Sequence, residues 1–219
     1  VLSHYGIPMT KHQIFRDGKE KLTKGFKFPL IIKPIREEAS IGIYHDNVVS
    51  SQKQLYAKVG TVLDKYSQPA LVEEFIEGRE ISVGIIGNEP EITLFPPLEF
   101  VFPEAKSPLE KIRSYEYKWG GKKEQMVRAD LQRKTVRQIE HYTRVAYTAT
   151  ECRDYARMDY RLDNTGNIFL LEVNYNPGIG PNNHGLNNTL TMMASFAGLS
   201  FDDFVERIVL IAAKRYGLS

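Results

Sequence analysis

The densest chemistry in this sequence lies in residues 156–174. With a four-residue turn at 163–166, Leu162 faces Asn167, and strand alternation sends Arg157, Asp159, Leu170, Glu172 and Asn174 to one face. Met158, Tyr160, Leu162, Phe169, Leu171 and Val173 take the other face, which reads as core. Glu172 is the odd residue, a carboxylate in mid-strand among apolar neighbours. Two carboxylates close together on a half-buried sheet repel and lose hydration, a cost of several kcal/mol unless it is compensated. Arg157 offsets part of that charge. A Mg²⁺ ion offsets more, because Asp and Glu carboxylates and an Asn carbonyl are hard oxygen donors and nucleotide phosphates complete its octahedron. On the hairpin alone, an ion pair of Arg157 with Asp159 or Glu172 on a solvated face explains the residues equally well.

Upstream, Lys33 ends a short apolar run, where its long cationic stem reaches phosphate oxygens or simply snorkels to solvent. Glu73, Glu74, Phe75 and Ile76 set two acids beside two apolar residues, and Glu80 follows a Gly turn. A strand edge with apolar walls suits an adenine ring, and a carboxylate such as Glu80 suits ribose hydroxyls; an ordinary edge strand is the simpler account of that segment alone. Lys118 precedes Gly120 and Gly121, which makes a lid closing on phosphate or a solvated turn.

The elements that must position these residues alternate irregularly. A buried strand is expected at 30–34, stopped by Pro34. Leu55, Val59, Val62, Leu63 and Tyr66 have helical spacing, so 51–66 is an amphipathic helix. Strands follow at 70–76 and 81–86, short extended runs at 99–102 and 114–119, a long helix at 129–151 and a hairpin at 156–174. Ser200 with Asp203 three residues on opens a last helix, and Gly217 lies past its end. Strands and helices with hairpins between them make the class α+β, not a doubly wound sheet.

The chain has 219 residues, 42% hydrophobic and 26% charged, which excludes a disordered tail and a disulfide-stapled mini-domain. No apolar run reaches the roughly 18–20 residues of a membrane span. Twenty-nine basic against 27 acidic side chains leave +2, no field for nucleic acid. The single cysteine, Cys152, suits a reducing, cytoplasmic setting. His4, His12, His45 and His141 show no metal spacing.

Taken in order, six strings resemble the ATP-grasp superfamily, and more closely the D-alanine–D-alanine ligases and their relatives. They are Ile32-Lys33-Pro34 with Arg36-Glu37; Leu71 through Glu80; Pro96-Pro97-Leu98-Glu99-Phe100; Tyr115-Glu116-Tyr117-Lys118-Trp119; Ala156-Arg157-Met158-Asp159; and Leu170 through Asn174 with Asn176-Pro177-Gly178. The resemblance implies an ATP-grasp fold, two α+β lobes gripping ATP between mainly antiparallel sheets, here a smaller lobe 1–77 and a larger lobe 78–219. It implies Lys33 on the phosphates, Glu73, Glu74, Phe75 and Ile76 at the adenine, and Glu80 on the ribose. It further implies Lys118 as a phosphate lysine at the root of a flexible loop, and Asp159, Glu172 and Asn174 holding two Mg²⁺ ions, with Mn²⁺ as an alternative. Arg157 would stabilise the tetrahedral intermediate. The implied activity is an ATP-dependent carboxylate–amine ligase working through an acylphosphate on amino-acid or small carboxylate and amine substrates. No nucleic-acid or membrane partner is implied, and the parent protein would be a homodimer through its upstream lobe.

Departures from the family pattern accompany the matches. The loop usually written Arg-Glu-Gly-Ser-Ser-Val-Gly is here Arg36-Glu37-Glu38-Ala39-Ser40-Ile41-Gly42, and the tyrosine after the loop lysine is Trp119. Two partnered hydroxyls are lost together. The Ser-Leu pair that binds the second substrate's carboxylate falls at Gly185-Leu186, with His184 beside it as a candidate acceptor contact. These changes predict altered amino-acid specificity. A non-catalytic ATP-binding module and an ATP-grasp ligase of another branch acting on L-amino acids remain alternatives. Because the family's upstream lobe falls before Val1, these residues are expected to bind nucleotide and to turn over slowly.

Overall fold

The computed structural model describes residues 1–181 and 188–218. These form two compact units, each with its own sheet and core.

The first is built from residues Thr10–Gly78 and Phe102–Gln125. Strands β1 (His12–Phe15), β2 (Leu30–Pro34), β3 (Val48–Val49) and β4 (Ala70–Glu74) pair in the order β1-β4-β2-β3, all antiparallel where paired. Helix α1 (Gln52–Tyr66) begins at Ser51, whose side chain accepts from the Gln54 amide. Its expected stripe, Leu55, Val59 and Val62, packs with Phe15, Leu30, Ile32 and Val72 into one core. Alternation puts Ile31, Lys33 and Glu73 on the sheet face away from α1. Residues 114–119, expected to be extended, instead hold one helical turn, α2 (Tyr115–Lys118), with Trp119 following it. Its Tyr117 ring is buried against Phe102, and that packing overrides the β-propensity of two tyrosines in the segment.

The second unit takes Val1–Met9, Arg79–Val101 and the described residues from Met126 onward. Strands β5 (Gly78–Ile86), β6 (Thr93–Leu94), β7 (Leu98–Val101), β8 (Gln125–Arg128), β9 (Tyr155–Asp163) and β10 (Ile168–Asn174) form a six-stranded sheet, ordered β10-β9-β5-β7-β8 with β6 beside β5. Helix α3 (Arg133–Ala149) lays Ile139, Ala146 and Tyr147 on Ile81, Val83, Met158, Tyr160 and Leu170. Helix α4 (Thr189–Phe196), not expected from the sequence, contributes buried Leu190 and Met193. Helix α5 (Phe201–Arg215) has the expected Ser200–Asp203 capping box.

A single boundary at 77/78 describes only part of this division. Residues 1–9 belong with the six-stranded sheet and 102–125 with the four-stranded one, because each packs on the core it touches rather than on its sequence neighbours.

Candidate functional site

The hairpin β9–β10 carries the expected charged face by a different register from the one expected. Its loop is three residues, Asn164-Thr165-Gly166, closed by the Asp163 amide on the Asn167 carbonyl at 2.9 Å. Gly166, at φ +92°, takes the left-handed backbone that such a loop needs at its third residue. Leu162 therefore lies opposite Ile168, not Asn167. This exchanges two neighbours: Leu170 enters the core and Phe169 joins the charged face, opposite Arg161. A bulge between Leu170 and Glu172 then absorbs Leu171 and restores the alternation. Glu172 lies directly opposite Asp159, and Asn174 opposite Arg157.

Arg157, with 11% of its side chain exposed, forks onto Asp159: Nε to Oδ1 at 2.9 Å and Nη2 to Oδ2 at 2.8 Å. The ion pair that the sequence allowed is thus formed, in a largely buried setting instead of a solvated one. Burial acts to lower the Arg157 pKa, but Asp159 first, then Glu172 and Glu80, hold it above the ordinary arginine value. Ser82, fully buried on β5, donates from Oγ to Asp159 Oδ1 at 2.5 Å. Glu80, two residues before it on the same face, accepts from Arg161 Nη1 at 3.1 Å. Arg161 is 3% exposed, and burial outweighs Glu80 in setting its pKa below the usual value. Asn174 Oδ1 accepts the Asn176 amide at 3.2 Å.

Among the described residues no three His, Cys, Asp or Glu side chains gather as a metal group. The expected set here has two carboxylates and an amide. All three are hard oxygen donors on one face, with Asp159 and Glu172 in direct register, so the residues fit a hard divalent cation.

In the four-stranded unit, Lys33 pairs with Glu73, and Thr10 Oγ1 donates to Glu73 Oε1 at 2.8 Å. Burial raises the Glu73 carboxyl, and the Lys33 ammonium with the Thr10 hydroxyl more than offsets it, leaving its pKa below the ordinary value. Glu74 points to the opposite sheet face and accepts the Lys27 amide at 2.9 Å. Strand alternation thus sends the two carboxylates to opposite faces of the sheet. Phe75 is buried with Ile31 and Ile112, and Ile76 is half-buried. Lys118 is the last residue of α2. Trp119, which leads away from it, donates from Nε1 to the Ala39 carbonyl at 3.0 Å, so the two departures from the family pattern touch each other. His184, Gly185 and Leu186 lie outside the described residues.

Sequence reading missed Ser82, Arg161 and Thr10. The first two follow from extending period-two alternation beyond Glu80 and Asp159; Thr10 meets Glu73 across 63 residues, and no local signal marks it.

A structural likeness places the chain in a fold class. The VanG D-Ala:D-Ser ligase of Enterococcus faecalis superposes with TM-score 0.78 at 23% identity, over 96% of this chain and 58% of that one. A Bacillus anthracis D-alanine–D-alanine ligase complexed with ATP gives 0.75 at 18%, over 97% and 63%. The fold is that of the ATP-grasp ligases. Residues 1–210 match the family described as D-ala D-ala ligase C-terminus, and the chain belongs to that family. An uncharacterized Sinorhizobium fredii protein is 33% identical over 96% of this chain and 60% of its own length. The D-alanine–D-alanine ligase of Pelobacter propionicus is 32% identical over 94% and 62%. The chain thus spans about three fifths of the length of the curated relatives it matches.

Proposed function

We propose that the chain carries the ATP-using portion of a carboxylate–amine ligase of the D-alanine–D-alanine ligase type. The observation that most supports this is the opposition of Asp159 to Glu172 and of Arg157 to Asn174 on one sheet face. Asp159, Glu172 and Asn174 would hold Mg²⁺, as two ions or Mn²⁺ in their place. Lys33 and Lys118 would bind phosphate oxygens, and Glu80 the ribose. Since the Glu73 and Glu74 side chains are held by Lys33 and the Lys27 amide, the adenine walls fall chiefly to Phe75 and Ile76. Bound metal supplies charge neutralisation on the transferring phosphoryl group.

The substrate carboxylate would attack the γ-phosphorus as the bond to the bridging oxygen breaks and ADP leaves, giving an acylphosphate, and an amine then adds to its carbonyl carbon. The C–N bond forms first, leaving a tetrahedral oxyanion; its collapse breaks the C–O bond to phosphate and releases inorganic phosphate, and the amine nitrogen gives up its proton to water or to the departing phosphate. Arg157, which already sits among carboxylates and keeps its proton, is the group that would balance the oxyanion of that addition.

Calorimetric titration of the chain with a non-hydrolysable ATP analogue tests the reading. Binding should strengthen with Mg²⁺ in the wild type and lose that gain in Glu172→Gln; affinity indifferent to both would overturn it. The contact between Trp119 and Ala39 supports a finer reading, amino-acid substrates other than two D-alanines, L-amino acids included. A screen of the whole protein in which D-alanyl-D-alanine is the preferred product would reject this. Sedimentation of the whole protein checks the expected homodimer.

A further inference from the structure

The four-stranded unit has a cavity of about 320 Å³ that the ligase reading does not use. Lys58, Lys65 and Tyr66 of α1 line it together with Tyr44, Asp46 and Glu116. It is built against α1, whereas Lys33 and Glu73 occupy the sheet face away from that helix. Its volume is in the range of small-molecule sites.

Two features make its walls firm. Asn47, 1% exposed, donates to the Ile32 and Gly42 carbonyls at 2.5 and 2.7 Å and accepts the Tyr44 amide at 3.1 Å. Gly42, at φ +78°, lies so close to Pro34 and Tyr66 that an added Cβ would come within 2.4 Å of the proline ring. The Tyr66 ring and the Tyr44 backbone are therefore held in place.

The charges of the lining choose the ligand. Lys58 and Asp46 pair with each other at 2.6 Å. Lys65 and Glu116 enter no ion pair among the described residues. Lys65 holds its ammonium over the Tyr44 and Tyr66 rings, at 5.1 and 5.3 Å from their centroids. Glu116 Oε1 takes a long 3.4 Å bond from the His45 amide, the Ser114 hydroxyl and the His45 ring also favour its charged form, and its buried Oε2 has no hydrogen-bond partner among the described residues. One cation and one anion on the wall of one small cavity, which two tyrosines also line, match a molecule that carries both charges itself.

We propose that this cavity binds a free α-amino acid as its zwitterion, the carboxylate on Lys65 and the ammonium towards Glu116. It is a second site, distinct from the residues assigned to nucleotide and metal, and suits an effector.

The test is a calorimetric titration of the full 219-residue chain with D- and L-alanine and D- and L-phenylalanine, beside acetate and methylammonium. At least one amino acid should bind saturably with millimolar affinity, and each half-ligand about tenfold more weakly. Lys65→Ala and Glu116→Gln should each weaken amino-acid binding about tenfold. Lys65 is exposed, so its variant reports even if Glu116→Gln fails to fold. Asp159→Asn should leave the titration unchanged while altering Mg²⁺-dependent nucleotide binding, which separates failure here from failure of the ligase reading. No saturable amino-acid binding, equal binding of acetate, or binding that survives Lys65→Ala overturns the proposal.

Discussion

Glu73 is a carboxylate with 11% of its side chain exposed, and its charge persists because Lys33 and Thr10 share it. Removing one member of such a pair strands the other. Glu73→Gln should cost about 3 kcal/mol at neutral pH, read by chemical denaturation. The Glu73 pKa in the fold lies below its unfolded value. Its contribution is therefore complete above the unfolded carboxylate pKa and lost as pH falls through the folded one, so the gap between wild type and variant should narrow on the acid side. Residue types were readable at this scale, as was the pairing of Arg157 with Asp159, but the hydroxyl partners were not. Asp159, Glu172 and Asn174 declare themselves as hydrophilic positions in a strand, but the hydroxyls that fix the acids, Ser82 and Thr10, come from strands and loops far off in sequence. A hydroxyl in an apolar strand carries no mark of what it will meet.

At the scale of elements, periodicity performed well wherever a long amphipathic stripe or a cap exists, as in α1, α3 and α5. It failed where one residue decides. The hairpin loop is one residue shorter than expected, which by itself would have turned Glu172 into the core; the bulge at Leu171 returns it to the acid face. Neither half of that compensation is visible in composition, since Phe169, Leu170 and Leu171 are interchangeable by hydrophobicity. Helix α4 escaped notice for a related reason: it is short and apolar nearly all round, and so has no stripe. Gly166→Ala should destabilise by about 1 kcal/mol, because φ +92° strains any residue with a Cβ. Ser200→Ala, which removes the Oγ that accepts the Asp203 amide at 3.1 Å, should also cost about 1 kcal/mol, seen as a lower denaturation midpoint at constant m-value.

For the whole molecule, two cores imply two places where stability is set. Leu55→Ala, in the core under α1, should cost about 2–5 kcal/mol and speed amide exchange in the sheet of β1 to β4. Met158→Ala should do the same for β5, β9 and β10. The presence of two lobes was legible from the order of the six matching strings, whereas the assignment of 1–9 and 102–125 was not, because those segments are short and take their core from distant partners. The backbone passes from one unit to the other at residues 9/10, 78/79, 101/102 and 125/126. Such interleaving has a consequence for ancestry. Neither unit is a contiguous stretch of gene, so neither can be shuffled as a cassette, and a single recombination between relatives anywhere within codons 10–125 would splice mismatched parts of both. A crossover falling between codons 39 and 119 would also part Ala39 from Trp119, which touch in space though 80 codons separate them.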